Sequence, residues 1–316
     1  MKLQQERERL TAWKQWKIAD AHSDLPIKRY CEKHHCMVEP PVGNQISKEL
    51  LEASPVELQV LALWPLYTQE DLFANCQEQL GLMRELGYLP WIGGTAPKKR
   101  YVYALEGFEG LGGELKNLIY FYRQGVRIFM LTWNGSNPFA HGVLGEPEGL
   151  TELGKKAVLL INQLGGILDV SHLNEQGFDQ VMELADHVMA SHSNPRALCD
   201  HVRNLTDRQI GLLLQRQGFI GVNFYPEFLK QKGEREEDVS AREIVDHIQH
   251  ILELGGENHV GFGADFGTLN KLPIGIGDVT CYDKIVEEMA NRGWEAPLIQ
   301  KICYDNLANF LEKALG

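Results

Sequence analysis

No stretch of eighteen apolar residues occurs in the sequence, so no helix that crosses a membrane is expected. The first nine residues, Met1 to Arg9, are charged and polar with no apolar core, and a secretion signal is not expected there. Cysteine is sparse, with six in 316 residues, which excludes a disulfide framework. Cys31 and Cys36 bracket two histidines, His34 and His35, in the manner of a small zinc knuckle. A closed site wants four ligands and no second cysteine pair follows, so reduced thiols on a polar loop are expected. Basic charge is short as well. Lys and Arg total 31 against 43 Asp and Glu, a net charge of −12, and no basic stripe is present. A face for nucleic acid or for an anionic membrane surface is thereby excluded. Low-complexity tracts and a clear domain linker are also missing. The expectation is a cytoplasmic protein with neither nucleic acid nor membrane as partner.

What is present is apolar in short pieces. Hydrophobic residues make up 44% of the chain, and the length suits either two modest domains or one large barrel. Eight short runs, each ending on a polar residue or an aromatic, read as strands: 17–24, 58–64, 101–106, 126–132, 167–172, 187–192, 220–225 and 259–265. Near-continuous apolar runs of this kind suit parallel strands buried on both faces. Between them lie helical stripes. Thr68 to Leu86 carries Leu72, Leu80 and Met83; Leu153, Ala157, Leu160 and Ile161 form another; Phe178, Val181 and Met182 form a third. Thr206–Gln209 and Ser240–Glu243 have the spacing of capping boxes, and Gly255-Gly256 suits a helix end. Eight such strand–helix units predict a (β/α)8 TIM barrel of α/β class. A doubly wound sheet is the rival, but it wants a glycine-rich loop after its first strand, where this chain has His-Ser-Asp. A single domain over 1–316 is expected, with a small insertion at 26–55 over the barrel mouth. Residues after about 280 read as helices packing outside the barrel.

The strand ends carry the chemistry. His22, Asp24, Glu106, His172, His192 and Asp265 all fall where the C-terminal ends of barrel strands converge. Three clustered carboxylates without cations would repel. Imidazoles and carboxylates without thiolates suit zinc, and admit manganese, cobalt or nickel. His22 and Asp24, two apart on one strand, point the same way and can grip one ion. His172 and His192 can grip a second, and Glu106 can bridge the pair. Asp265 is then left to carry protons beside a water that two cations acidify. Any one of these residues alone is weak evidence, since a lone strand-end histidine is more often structural; the joint pattern is what counts. The other histidines, 34, 35, 141, 187, 201, 247, 250 and 259, are read as structural or surface residues. His247 and His250 are taken as solvent-facing on one helix, and the acidic run Glu234 to Asp238 as a solvated loop.

These residues sit in stretches that resemble the membrane (renal) dipeptidases and their bacterial relatives, zinc metallopeptidases related to the amidohydrolases. The matching stretches are Asp20-Ala21-His22-Ser23-Asp24-Leu25-Pro26, Leu105-Glu106-Gly107, Leu131-Thr132-Trp133-Asn134 and Asp169-Val170-Ser171-His172. They continue with Ser191-His192-Ser193-Asn194, Arg203-Asn204-Leu205-Thr206-Asp207, Val222-Asn223-Phe224-Tyr225 and Gly261-Phe262-Gly263-Ala264-Asp265-Phe266. The resemblance implies two zinc ions, with His22 and Asp24 on one, His172 and His192 on the other, and Glu106 bridging. It implies Asp265 as the acid/base and Arg203 as the holder of the substrate carboxylate, a task a planar guanidinium suits. Trp133 and Tyr225 fall at substrate-binding positions. The implied substrate is a dipeptide, with a C-terminal D-residue tolerated, and a homodimer is compatible. One departure stands out: animal members carry histidine where this chain has Trp133. An indole donates one hydrogen bond but cannot carry a proton, so substrate range is the property affected. Asn134 and His141 are the polar neighbours in sequence that could compensate. The alternatives are a hydrolase of other amides, lactones or esters, and a metal-binding barrel without catalysis.

Overall fold

The computed structural model describes residues 16–36, 41–231 and 238–316. Eight parallel strands close in chain order into one barrel: β1 (Ile18–Asp20), β2 (Val56–Leu63), β3 (Arg100–Glu106), β4 (Val126–Met130), β5 (Ile167–Asp169), β6 (Val188–Ala190), β7 (Phe219–Val222) and β8 (Val260–Phe262). The TIM-barrel expectation is met. The strands are mostly shorter than the apolar runs that announced them, and there is a physical reason. Asp20 ends β1, and its Oδ1 accepts from the backbone N–H of His22 at 3.1 Å and of Ala264 at 3.0 Å. Asp169 ends β5 and does the same for Ser171 and Ser191, both at 3.0 Å. Side-chain carboxylates thus replace the ladder at these points and turn the chain into loops.

Between β1 and β2 lie α1 (Leu25–His34) and α2 (Lys48–Ala53). α1 starts with Pro26 in its first turn and ends at His35, which adopts a left-handed conformation. Cys31 is buried on α1 rather than placed on a polar loop, and its Sγ lies 3.4 Å from that of Cys36. Neither thiol joins a group of metal-ligand type among the described residues. The helix expected from Thr68 begins four residues later, as α3 (Leu72–Glu85), because Asp71 caps it by accepting from Ala74 N–H at 2.9 Å. The outer ring continues with α4 (Lys116–Arg123), α5 (Glu152–Leu164), α6 (Glu175–Leu184), α7 (Asp207–Gln215) and α8 (Ala241–Glu253). Both expected capping boxes are present, Thr206 with Gln209 on α7 and Ser240 with Glu243 on α8.

Two expectations need correction here. His247 does not face solvent: it is buried on α8, its Nε2 3.0 Å from the Leu229 carbonyl. Burial pulls its pKa down to about 4. Only its neighbour His250 reaches outward, to Asp207 at 2.8 Å. The C-terminal helices do not all pack outside either. After α9 (Tyr282–Asn291) and α10 (Ala296–Gln300), a π-turn at Lys301–Asp305 leads into α11 (Asn306–Leu315). Leu307, Ala308 and Leu311 of α11 join the apolar cluster made by Ala19, Leu58, Val60, Val102, Ile128 and Ile167 of the strands. A separate, larger cluster unites the opposite strand faces with the outer helices. The alternation assigns the first cluster to the barrel interior. Arg100, first residue of β3, meets Glu312 and Tyr304, so α11 closes the floor at the N-terminal ends of the strands. Of the run 234–238, only Asp238 lies within the described residues, and Met1 to Arg9 lie outside them.

Candidate metal centre

Glu106 is the last residue of β3 and is almost wholly buried. Its two oxygens face different partners. Oε2 lies 3.3 Å from His22 Nε2, and Oε1 lies 3.1 Å from His172 Nε2 and 3.8 Å from His192 Nε2. His22 Nε2 is also 3.6 Å from Asp24 Oδ1 and 3.6 Å from Asp265 Oδ1. Nε2 atoms of His172 and His192 are 2.9 Å apart. All six residues that sequence analysis singled out therefore meet at one place. Only Glu106 belongs to a strand; the others stand on the loops that follow β1, β5, β6 and β8.

The sequence builds this locality by several means. Gly221 and Gly263 let β7 and β8 run close under the Ser191 carbonyl, where an added Cβ would sit within 2.0 Å and 1.8 Å of that oxygen. That approach seats Ser191 and His192 over the barrel. His172 and Asp265 take left-handed backbone conformations, at φ 68° and 66°, which non-glycine residues rarely adopt outside helix ends and functional sites. Outer nitrogens of the imidazoles are engaged. His172 Nδ1 lies 2.8 Å from Asn134 Oδ1, and His192 Nδ1 lies 2.7 Å from Ser191 Oγ, which is also 3.4 Å from His22 Nδ1. Each Nε2 is thereby turned inward. Such outer partners orient metal-binding imidazoles.

Electrostatics point the same way. Burial pushes the Glu106 carboxyl up to about 7, and burial plus the nearby Asp24 charge pushes Asp265 up to about 6. Burial opposes charge on His22, but Glu106, Asp24 and Asp265 outweigh it and hold its pKa well above the ordinary value. Burial, with Arg203 and His22 nearby, drives His172 and His192 well below theirs. A buried crowd of carboxyls and imidazoles is what a cation relieves. His22 Nε2 and Asp24 Oδ1 are buried and lack hydrogen-bond partners. Three overlapping ligand groups are present: His22/Asp24/Glu106, Glu106/His172/His192 and His22/His192/Asp265. The donor set fits hard or borderline divalent ions.

A pocket of about 380 Å³ opens over this cluster. Arg203 lines it, buried, with Nε and Nη2 unpartnered and its guanidinium 5.6 Å over the Phe228 ring. Trp133, Asn134 and Tyr225 line it too, as do Ile27, Lys28 and Cys31 of α1. The Tyr225 hydroxyl lies 3.0 Å from Glu227 and 3.1 Å from Asn270. Asn134 Oδ1 holds His172 Nδ1, while His141 Nδ1 pairs with Ser136 Oγ at 2.8 Å. Sequence reasoning assigned no role to Ser191, Asp20, Asp169 or Trp64. The two aspartates had a signal, since each sits two residues before a site residue or its neighbour in an otherwise apolar run.

A closed parallel barrel with shared imidazole and carboxylate ligands at its mouth is a metallohydrolase architecture. A sequence model of the membrane dipeptidase family, peptidase family M19, matches residues 70–314. The chain belongs to that family and is a metallopeptidase of the dipeptidase type. An uncharacterized protein of Klebsiella pneumoniae, from the pqqA 5′ region, is 35% identical over 66% of this chain and 79% of its own length. The crystal structure of dipeptidase AC, a family M19 metallopeptidase, superposes with a TM-score of 0.84 at 27% identity, covering 95% of this chain and 99% of its own. A Rhodobacter sphaeroides metallopeptidase, solved with a phosphinate mimic of the dipeptide L-Ala-D-Ala, gives 0.83 at 26% identity, with 95% and 99% covered. No helix among the described residues is long and apolar enough to cross a membrane.

Proposed function

We propose that this chain hydrolyses dipeptides with two divalent ions, zinc the foremost candidate, one held by His22 and Asp24 and the other by His172 and His192, with Glu106 shared. The observation that carries the reading is the splitting of the Glu106 oxygens between the two imidazole sets. Bound there, the ions supply an acidified water as nucleophile and a Lewis acid for the scissile carbonyl. Asn223 Nδ2 donates to Asp265 Oδ2 at 3.0 Å, which leaves Oδ1 directed at the ligand cluster. From that position Asp265 takes the proton of the attacking water and passes it to the leaving amine. Arg203 receives the substrate's free carboxylate with its two unpartnered nitrogens, which selects short substrates with a free C-terminus. The Rhodobacter relative's L-Ala-D-Ala mimic supports tolerance of a C-terminal D-residue. The activity resides in a single barrel domain, with 26–55 as its insertion.

The test is a panel of L-Xaa-L-Xaa and L-Xaa-D-Xaa dipeptides with zinc added, followed by a chelator. Chelator-sensitive turnover with about two ions per chain is expected. Turnover of none, or full activity in Asp265→Asn, overturns the reading.

A further inference from the structure

The pocket is chemically two-sided. Arg203, Tyr225, Phe228 and Asp265 come from the loops after β6, β7 and β8. Trp64 follows β2 and Trp133 follows β4, which in a closed eight-stranded ring of this order lie across the mouth. There the rings of Trp64, Tyr67 and Trp133 contact one another in a triangle, with centroids 5.3 to 5.6 Å apart. Trp133 lies 6.2 Å from the His172 ring, so this aromatic face reaches the ligand cluster itself. Ile27, Cys31 and Leu66 extend the apolar surface above it. Lys28, the cation lining that side among the described residues, is engaged by Glu32.

A dipeptide has a direction. With its carboxylate at Arg203 and its scissile carbonyl at the ligand cluster, the residue on the amino side extends away from Arg203. It must meet the Trp64–Trp133 face. We propose that this face is the subsite for the N-terminal side chain, and that the enzyme's substrates are dipeptides beginning with a large apolar or aromatic residue. The proposal rests on the dipeptidase reading above. The indole of Trp133, set against Trp64 and beside the His172 ring, makes this wall of the site a desolvating one. Stacking and area burial then reward Phe, Trp or Leu and penalise Gly, Asp or Lys.

Two measurements test it, and they fail separately. The first is kcat/KM for Xaa-Ala dipeptides differing only in the first residue. Phe-Ala and Leu-Ala are expected to exceed Gly-Ala and Asp-Ala by at least about tenfold. Trp64→Ala and Trp133→Ala should flatten that ratio while Gly-Ala changes least. A flat panel, or one led by Gly or Asp, overturns the subsite. The second is the Kd of phosphinate pseudo-dipeptides with Phe or Gly at the amino position, measured by calorimetry on zinc-loaded protein. A Phe-to-Gly preference of about tenfold or more, lost in Trp133→Ala, supports the subsite. Equal Kd values overturn it. Absence of turnover for every dipeptide sinks the proposed activity instead, and the Kd ratio then decides the aromatic face alone.

Discussion

At the floor of the barrel, Leu307, Ala308 and Leu311 press into an apolar interior with Leu58, Val60 and Ile128. At the mouth, at the other end of the same strands, three imidazoles and three carboxylates crowd together with buried atoms that no protein group satisfies. Both ends are largely buried, but one favours the folded chain and the other strains it. Left-handed backbone at His172 and Asp265 belongs to the straining end. The difference teaches that burial alone does not tell what a residue is for. Barrel enzymes separate stability and chemistry by end of strand, and this chain does so with side chains of opposite character.

Substitutions at the two ends should therefore separate cleanly. The largest effect is expected from Glu106→Gln. It removes the shared carboxylate, so kcat/KM on the best dipeptide should fall on the order of a thousandfold. Chelator-treated Glu106→Gln should melt no lower than chelator-treated wild type, because a repelled buried acid has gone. Activity within tenfold of wild type would break the assignment of the mouth. Leu311→Ala should do the reverse. Chemical denaturation should record a loss of about 2–5 kcal/mol while kcat/KM at 25 °C stays within about twofold. An equal loss of activity would mean that the floor is coupled to the site.

A third comparison uses pH. His247 is buried far from the ligand cluster in function, and its pKa is lowered from 6.5 to about 4 in the folded chain. Between those values the unfolded chain takes up a proton that the folded chain refuses. Stability supplied by this residue is thus full above pH 6.5 and falls as pH drops toward 4. In denaturation curves the wild type should lose roughly 3 kcal/mol more than His247→Gln across that window. Identical slopes would mean that the buried imidazole is protonated in the fold. The smallest effect is expected from Ser191→Ala, whose hydroxyl holds His192 Nδ1. Zinc competition should read an affinity weaker by about 10- to 100-fold, with the fold intact. Unchanged affinity would remove Ser191 from the support of the site.

Much of this was legible in the sequence, for particular reasons. All eight strands were located because parallel strands buried on both faces leave near-continuous apolar runs, as in Val60–Leu63. Thr206 and Ser240 were legible because a capping box is local chemistry. The six mouth residues were found because each follows such a run. The lengths of β1 and β5 were overestimated because Asp20 and Asp169 end the ladder through contacts to loops that are distant in sequence. His247 was misplaced although a signal existed: it lies three residues after Ile244 and four before Ile251, on the buried stripe of α8. The site of α11 was not legible at all. Its apolar stripe announces a helix that must bury one face, but not that the face fills the barrel floor.

Within their strand bounds β1 and β8 pair through Asp20 and Phe262, and a further bridge, Ser23 with Phe266, continues the seam beyond them. The Asp20 carboxylate reinforces that join, tied to the Ala264 N–H and to the Tyr282 hydroxyl. Both partners come from the last fifth of the chain. His22, Glu106, His172 and His192 therefore stand on a ring that the last fifth of the sequence seals.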